Sequence, residues 1–484
     1  MNIYGSIDYL KTKIKIAIDK GRYENALEYI SLAADILYNY NQYYYDKELE
    51  NFIKEISNKI FDEKNLDDLH EDIAIFYDGF GLDNRGLAQI YILGLCKFKK
   101  IIYITDEKHK NNIPTIKSIL KKNSAISYFI PEGSKLKKIE FVKTIIEHSK
   151  PQNIFMYAYP NDVIITTVLY HYEAKIIRYQ INLTDHAFWL GSQCIDYCIE
   201  FRDYGAYLSN VYRSIAKSKL ILLPYYPIVD KSVEFQGYPF NFNKETQKIV
   251  FSGGALYKTF GGEDKYYVIV DYILNKYNNI IFWYAGTGDR SKFDLLEKRY
   301  PNRIFVTNER KDLYQVLKHC YFYLSTYPFC GGLMFQYAAV AEKLPLTLKY
   351  DECTDGFLIN QEKLDIEFYS LNRLKEKIDK VLLDSQYLSN EEIKIKKSVI
   401  TQKDFDENLK MILDRQRTTY NISFRPVDTT NVRREIAENM TFIKLCDIVA
   451  GHRKLCVIKL MPKEFLIGIF FKIKRKLKNK LGGL

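Results

Sequence analysis

Three glycine-containing segments in the second half of the chain combine residue types that bind phosphate. The sequence Ser-Gly-Gly at 252–254 directly follows an apolar run, and Lys258 comes shortly after it. Gly286 ends the next apolar run, and segment 327–332 leads into an apolar helical pattern. Glycine allows the backbone to approach a ligand closely, and a helix N-terminus attracts anions through its N–H groups and dipole. We therefore predict an anion site here, although each glycine turn taken alone is also explained as a structural turn.

A histidine in the first half of the chain is the candidate general base. His186 follows an apolar run, stands next to Asp185 and precedes Trp189 by three residues. An imidazole titrates near neutral pH, which suits proton transfer in catalysis. The indole of Trp189 can supply an apolar or sugar-stacking wall. Because burial can raise the pKa of a carboxyl group, Asp185 is kept as an alternative base.

A glycine-rich loop at 78–86 ends the first apolar run of this half and adds three candidates. Gly81 allows a tight turn, while Asp83 and Arg85 supply a carboxylate and a guanidinium. We predict that these residues contact an acceptor hydroxyl or a donor phosphate, with Asp83 as a further candidate base. A solvated turn without function is the alternative.

Apolar runs alternate with helical patterns along most of the chain, and they predict the elements that position these residues. Such alternation is typical of parallel sheets covered by helices on both faces. The length of 484 residues exceeds what one hydrophobic core usually serves, and the polar segment 236–248 separates two such series. We predict an α/β fold with two Rossmann-like parallel domains facing a cleft, rather than one large doubly wound sheet.

The predicted domain boundaries follow from these patterns. Residues 1–68 form an N-terminal helical segment, 69–240 the first α/β domain and 247–390 the second. A helical C-terminal extension occupies 391–484 and ends in a basic tail. The loops named above then lie at the carboxyl ends of strands, where open α/β sheets bind their ligands.

The C-terminal tail carries an uneven share of the charge. Its last 22 residues hold seven Lys and Arg against one Glu, although the whole chain has a net charge of only +11. Apolar residues recur there at spacings of three and four, which predicts a basic amphipathic helix over Pro462–Leu484. Such helices lie in the interface of anionic membranes, and a helix packed on the protein is the alternative. Because the charge is confined to the tail, we expect no nucleic-acid partner.

The location predicted from the sequence is cytoplasmic, peripheral to the inner face of the membrane. The N-terminus has no apolar core of the kind that a secretory signal needs. The eight cysteines form no Cys-x-x-Cys pair, which is typical of reduced residues in a cytosolic protein.

The order of motifs in the second series resembles the donor-binding domain of GT-B glycosyltransferases over about 248–351. The motifs are SGG, AGTGD, Arg310-Lys311-Asp312 followed by LYQVL, and STYPFCGGLMFQYAAVAEKLPL. The aromatic-Pro-Phe-x-Gly-Gly turn is similar to that of inverting enzymes of the O-GlcNAc-transferase type and of bacterial capsule- or protein-glycosylating enzymes. The resemblance implies that 69–240 binds the acceptor and that 247–390 binds a nucleotide sugar, with UDP as the expected nucleotide. It implies that the donor-binding residues are Ser252, Gly253, Gly254, Lys258, Gly286, Arg310, Tyr327, Gly331, Gly332, Leu333 and Gln336.

One departure from the retaining members of that group favours inversion of the anomeric centre, and one missing motif argues against a metal. Retaining members carry a pair of Glu residues where this chain has Gln336 and Leu344. The Asp-x-Asp motif of metal-dependent glycosyltransferases is also missing from the predicted strand ends. We therefore expect neither a metal nor a cofactor besides the nucleotide-sugar co-substrate. Lys258 and Arg310 are then the candidates that neutralise the leaving diphosphate.

The function predicted from the sequence is glycosyl transfer to a glycan, lipid-linked or protein acceptor at the cytoplasmic membrane face. Three alternatives share the fold: a sugar-nucleotide 2-epimerase, a teichoic-type glycerophosphotransferase and a non-catalytic adapter.

Overall fold

The structure is a computed structural model that describes residues 3–40, 43–62, 66, 68–83, 86–349, 356–429 and 441–481. The chain divides into two units. The first contains Met1–Leu223 and Asp406–Leu484, and the second contains Pro224–Phe405. Each unit is built around its own parallel sheet and its own apolar core.

The first unit contains a seven-stranded sheet in the order β3-β2-β1-β4-β5-β6-β7. All of its pairs are parallel. Most residues of β1, β2 and β4–β7 are buried because helices cover both faces, whereas the edge strand β3 is largely exposed. The strands are β1 (His70–Asp78), β2 (Lys100–Asp106), β3 (Ile126–Ile130), β4 (Pro151–Tyr157), β5 (Ile177–Asn182), β6 (Tyr197–Glu200) and β7 (Leu220–Leu222). The helices between and before them are α1 (Ile3–Asp19), α2 (Tyr23–Tyr40), α3 (Lys47–Ile60), α4 (Leu87–Leu95), α5 (Pro114–Lys122), α6 (Lys135–Ser149), α7 (Val163–His171) and α8 (Asp203–Val211).

The N-terminal helices share a core with this sheet. Asp46 caps α3 by accepting hydrogen bonds from the backbone N–H groups of Glu48 and Leu49, both at 3.1 Å. Glu50 of α3 is buried and accepts a hydrogen bond from the Gly191 N–H at 2.8 Å and another from the Tyr170 hydroxyl. Helices α1–α3 are therefore part of the first unit and tie its loops together.

The C-terminal part of the chain returns to the same unit. Helices α15 (Gln402–Arg415), α16 (Phe442–Val449), α17 (Leu455–Leu460) and α18 (Pro462–Leu481) make up this part of the described chain. The imidazole Nε2 of His452 lies 2.6 Å from Asp35 Oδ2 on α2. Both ends of the sequence thus pack on one α/β unit.

The second unit contains a six-stranded parallel sheet in the order β10-β9-β8-β11-β12-β13. Both sheets have the same strand order. The first three strands of each unit lie in reverse order from one edge, and the fourth and later strands continue from the first strand to the other edge. This is the doubly wound order. The strands are β8 (Lys248–Gly253), β9 (Ile280–Ala285), β10 (Ile304–Thr307), β11 (Phe322–Leu324), β12 (Pro345–Leu348) and β13 (Glu367–Phe368). The helices are α9 (Lys265–Lys276), α10 (Ser291–Arg299), α11 (Leu313–Lys318), α12 (Gly332–Val340), α13 (Leu371–Leu383) and α14 (Ser385–Lys396).

The predicted α/β class with two Rossmann-like parallel domains is confirmed, but the units divide the chain differently from the predicted boundaries. The chain passes from the first unit to the second between Leu223 and Pro224, not within 236–248. Residues 391–405, which were predicted to belong to the C-terminal extension, are part of the second unit. The predicted polar linker belongs to the second unit because its aromatic side chains pack on rings of that unit. Phe235 stacks on His319 with 4.1 Å between ring centroids, and Phe240 stacks on Phe305 at 4.4 Å.

Candidate functional site

Two glycine loops of the second unit touch each other at the carboxyl ends of β8 and β9. The Gly254 N–H donates to the Ala285 carbonyl at 3.0 Å, and the Tyr284 hydroxyl donates to the Gly254 carbonyl at 3.0 Å. A side chain at Gly286 would overlap that same carbonyl. Gly286 is therefore required for the contact between the loops. Gly253 has little room either, because a Cβ there would lie 3.0 Å from the Ala285 oxygen.

Lys258 lies beside these loops on a short 3-10 turn, Leu256–Thr259. No described residue offers its ammonium group a hydrogen bond or an ion pair. Burial lowers the pKa of Lys258, with only a weak opposing effect from Cys330. Buried cations are normally paired, because desolvation of an isolated charge is costly. Lys258 is thus a half-buried, partly desolvated positive charge without a described counter-charge.

The N-terminus of α12 faces this ammonium. Gly331 occupies the N-cap position, and no side chain caps the helix, so its first N–H groups, including that of Leu333, lack intrahelical acceptors. A Cβ on Gly331 would lie 3.7 Å from Lys258 Nζ. Gly332 has another role, since a Cβ there would overlap the Phe357 ring. The glycine that leaves space beside Lys258 is therefore Gly331.

Gln336 adds a buried acceptor on the same helix. Its amide Nε2 donates to the carbonyls of Tyr225 at 3.2 Å and Phe357 at 3.0 Å, which fixes the orientation of the amide. The opposite atom, Oε1, is buried and has no hydrogen-bond partner among the described residues. An unsatisfied buried acceptor is costly. A ligand hydroxyl would satisfy it.

Other predicted donor-binding residues serve the fold of the second unit. Ser252 is buried, and its Oγ accepts a hydrogen bond from the Tyr266 hydroxyl at 2.6 Å. Tyr327 is buried, and its ring fills the space above Gly262. Neither side chain lies exposed at the loop surface.

Arg310 differs from the expectation that it neutralises a diphosphate. Its Nε and one terminal nitrogen hold both carboxylate oxygens of Asp312, at 2.8 and 2.7 Å, and it also donates to the Gly237 carbonyl at 3.0 Å. A guanidinium engaged by a bidentate carboxylate is already neutralised. Lys258 is the better candidate because no described carboxylate competes for it.

In the first unit, His186 and Asp185 are in contact but differ in environment. His186 Nδ1 lies 3.3 Å from Asp185 Oδ1, and the imidazole is 53% exposed. Asp185 is buried, which opposes ionisation, but the charge of Arg202 and the hydrogen bonds from His186 and Arg202 together lower the pKa of Asp185 to about 2. Arg202 Nε donates to Asp185 Oδ2 at 2.6 Å. Such an acidic carboxyl cannot accept a proton efficiently near pH 7, so Asp185 orients its neighbours instead of acting as the base.

The remaining acceptor-side predictions fall on structural positions. Asp83 accepts hydrogen bonds from the backbone N–H groups of Thr115 and Ile116 at the start of α5, at 2.6 and 3.1 Å. This capping role engages both oxygens of the proposed base. Trp189 is buried in the first core beneath the Arg213 guanidinium, 5.3 Å from its ring centre, so it offers no exposed wall. Arg85 lies outside the described residues.

A pocket of about 550 Å³ lies at the carboxyl edge of the first sheet. The ends of β1, β2 and β4, helix α2 and loop 451–454 line it. Sequence reasoning missed its histidine, His109, three residues after β2. The signal was the position just past a predicted strand, since the strand pattern KIIYITDE ends two residues before His109.

Comparison with known proteins identifies the fold. No protein-family model matches the sequence, and no curated protein matches it. Among solved structures, an O-GlcNAc transferase mutant from Thermobaculum terrenum is similar, at 12% sequence identity and a TM-score of 0.54 over 89% of this chain and 84% of that chain. The chain has the GT-B fold.

Two further structures are similar to parts of this GT-B chain. The UDP-GlcNAc 2-epimerase from Neisseria meningitidis bound to UDP-GlcNAc matches at 11% identity and a TM-score of 0.47, covering 71% of this chain and 98% of that one. WaaG, a glycosyltransferase involved in lipopolysaccharide biosynthesis, matches at 11% identity and a TM-score of 0.46, covering 71% and 100%.

Lys258→Met should weaken nucleotide binding without destabilising the chain. Losing one charge-assisted hydrogen bond costs about 1.5–3 kcal/mol, roughly a ten- to hundredfold rise in Kd. The melting temperature should be unchanged or higher, because a desolvated charge is removed. Calorimetric titration with UDP and thermal unfolding measure both effects. The exposed Lys311→Met is the matched control, and equal Kd values for the two variants would contradict the assignment.

Gly331→Val should abolish UDP binding while the chain remains folded. Its side chain enters the space beside Lys258 Nζ, where the neighbouring atoms allow ordinary contact distances. Gly332→Val should instead lower the melting temperature, because it must displace Phe357. Thermal unfolding and UDP titration of both variants separate the two effects. Retained affinity in a folded Gly331→Val protein would place the nucleotide elsewhere.

Proposed function

We propose that this GT-B chain transfers a sugar from a UDP-linked donor to a hydroxyl-bearing acceptor. The observation that carries this proposal is the desolvated ammonium of Lys258 beside the uncapped N-terminus of α12. A diphosphate would supply the missing counter-charge and accept hydrogen bonds from the unpaired N–H groups at the start of the helix. Gln336 lies about one turn into the same helix. Its buried Oε1 would accept a hydrogen bond from a hydroxyl group of the attached nucleoside or sugar.

The transfer is proposed to invert the anomeric centre in one displacement without a metal. The acceptor oxygen attacks the anomeric carbon while the bond to the diphosphate oxygen breaks. In this scheme Lys258 and the α12 N–H groups stabilise the charge that develops on the leaving UDP. Gln336 and Leu344 stand where an acidic pair would favour retention, which supports inversion. The name of the Thermobaculum terrenum protein, an O-GlcNAc transferase, agrees with the proposed class.

A panel of donors should separate this activity from its alternatives. We expect UDP and a UDP-sugar such as UDP-GlcNAc to raise the melting temperature, because ligands that bind only the folded chain stabilise it. Slow UDP release from UDP-GlcNAc, without formation of the 2-epimer, should accompany binding. Epimer formation would indicate an epimerase, stabilisation by CDP-glycerol alone a glycerophosphotransferase, and no response to any nucleotide an adapter. Each of those three results would overturn the proposal.

The second part of the proposed function is attachment to an anionic membrane surface through α18. Four apolar side chains on this helix are more than half exposed: Leu466 at 67%, Phe470 at 62%, Ile473 at 53% and Leu477 at 54%. Their spacing of three and four residues places them on one face. None of the helices described here is long and apolar enough to span a bilayer.

The opposite face of α18 packs against α16. A Cβ on Gly468 would overlap the Cys446 carbonyl, so the two backbones are in close contact. Arg475 is paired with Asp447 of α16 at 2.5 Å. The helix is therefore held on the first unit, with its apolar stripe left outside among the lysines at 472, 474 and 476. Each cation near an anionic surface contributes about 1 kcal/mol, which complements the stripe.

Replacing Leu466 and Phe470 with Gln should reduce binding to anionic vesicles at least tenfold, because partial insertion of either side chain contributes on the order of 1 kcal/mol. Point changes are preferable to deletion of α18, which would uncover α16. Co-sedimentation with phosphatidylglycerol vesicles at low and high salt measures the effect. The matched control is Gln at Leu295 and Leu383, exposed leucines of the second unit. Equal loss in both pairs, or none in the first, would exclude α18 as the anchor.

A further inference from the structure

The pocket at the carboxyl edge of the first sheet contains a buried carboxylate oxygen without a hydrogen-bond donor. Glu28 of α2 lines this pocket and is only 3% exposed. Its Oε1 accepts no hydrogen bond from any described residue. The ammonium groups of Lys135 and Lys454 lie 3.6 Å from Oε2 and 3.9 Å from Oε1, which is beyond hydrogen-bonding distance. A buried acceptor in this state is costly, and a donor group of a ligand would satisfy it.

The other three carboxylates that line the pocket are already engaged by the protein. Asp35 Oδ2 lies 2.6 Å from the imidazole Nε2 of His452. Asp106 Oδ1 lies 2.5 Å from the ammonium of Lys138. Asp162 is the N-cap of α7 and accepts hydrogen bonds from two backbone N–H groups of its first turn, at 3.0 and 3.3 Å. Among the carboxylates of this pocket, the one on Glu28 is therefore the one with an oxygen left for a ligand.

Exposed cations from two further segments also line the pocket. Lys108 follows β2, and its Nζ lies 3.6 Å from Asp106 Oδ2. Arg453 and Lys454 belong to loop 451–454, and both are exposed. No described side chain forms an ion pair with the Arg453 guanidinium. Cationic groups that reach one pocket from separate segments suit a phosphate, because its terminal oxygens point in several directions and each can accept a charge-assisted hydrogen bond.

The charges around Glu28 favour a hydroxyl group over an amine as the missing donor. The two ammonium groups at 3.6 and 3.9 Å already outnumber the single carboxylate, so a third cation would be repelled. A hydroxyl group is neutral and can donate to Oε1. Tyr159 and Phe80 line the same pocket, with 5.2 Å between their ring centroids. Their rings supply an apolar surface for the C–H groups of a polyol, and a mixed apolar and polar lining is typical of small-molecule sites.

We propose that this pocket binds a phosphorylated polyol, either a soluble sugar phosphate or the phosphate-containing head of a membrane lipid. The phosphate contacts Lys108, Arg453 and Lys454, and a hydroxyl group of the polyol donates to Glu28 Oε1. The site lies within the first unit and goes beyond the proposed glycosyl transfer, on which it does not depend. A lipid is one source of the ligand because loop 451–454 continues through Leu455, which is 65% exposed, towards the proposed membrane helix α18.

Calorimetric titration of the full chain with glucose 6-phosphate, glycerol 3-phosphate, inorganic phosphate and glucose tests the ligand class. We expect a phosphorylated polyol to bind about tenfold tighter than inorganic phosphate, because it engages Glu28 as well as the cations. Glucose should bind more weakly than either phosphate compound. Equal affinities for inorganic phosphate and both phosphorylated polyols would overturn the role of Glu28. If no phosphorylated polyol binds, either in solution or in vesicles, the site itself is refuted.

Two kinds of variant separate the carboxylate from the cations. Glu28→Gln should weaken glucose 6-phosphate binding about tenfold without weakening inorganic phosphate, because it removes a negative charge from the pocket. The double variant Arg453→Met, Lys454→Met should weaken both ligands, and its exposed positions keep the test valid if Glu28→Gln does not fold. The matched control is Met at Lys459 and Lys463, exposed lysines that do not line the pocket. Equal losses in the two double variants would contradict a specific site.

Vesicles distinguish the two sources of the ligand. Phosphatidylglycerol and phosphatidylserine carry the same net charge, but only the first has a polyol head. Co-sedimentation with vesicles that contain equal fractions of either lipid should show a preference for phosphatidylglycerol if the source is a lipid, and Arg453→Met, Lys454→Met should abolish that preference. Binding of glucose 6-phosphate without any lipid preference would identify a soluble sugar phosphate as the source. Neither readout involves UDP, so the result is separate from the outcome of the proposed transfer.

Discussion

Parallel pairing of the strands is the constraint on which the described structure depends. Because neighbouring strands run in the same direction and crossovers return on the faces of the sheet, all strand carboxyl ends in one unit lie on one edge. That edge of the second unit gathers Gly254, Gly286, Lys258 and the start of α12, although 78 residues separate the first from the last in sequence. The corresponding edge of the first unit gathers Asp78, His109 and Tyr159.

Pairing of buried charges distinguishes the structural cations of this chain from Lys258, the cation that we propose to bind a ligand. Arg202 is held by Asp185, Arg310 by Asp312 and Lys377 by Glu391 at 2.7 Å. Each of these cations is desolvated, but each has a carboxylate that compensates for it. Lys258 is half-buried without such a partner among the described side chains, and partial desolvation of an unpaired charge is unfavourable. The anion that we propose to bind there would compensate for that charge.

The two ends of the sequence give the first unit features that a minimal α/β domain lacks. Helix α2 and loop 451–454 form walls of the pocket that contains His109. The same C-terminal segment continues through α17 into α18, whose exposed apolar stripe we propose to lie on a membrane. One continuous stretch of chain therefore lines the pocket that contains His109 and carries the proposed membrane surface.

The sequence alone determined the strands, the glycine loops and the amphipathic tail, because each depends on a local pattern. These patterns are a continuous apolar run, a glycine turn, and apolar residues spaced by three and four. It predicted the α/β class with two parallel sheets and the strand ends where the candidate sites lie. Only the tertiary structure decided which side chains at those ends are already engaged in hydrogen bonds or ion pairs within the protein. Arg310 and Asp83 look like ligands in the sequence, yet Asp312 and the start of α5 already engage them. His109 has no distinctive neighbours in sequence, but in space its ring contacts Thr105 and the loop at Gly81. Hydrogen-bond and charge pairing depends on which distant side chains meet, and a local pattern does not contain that information.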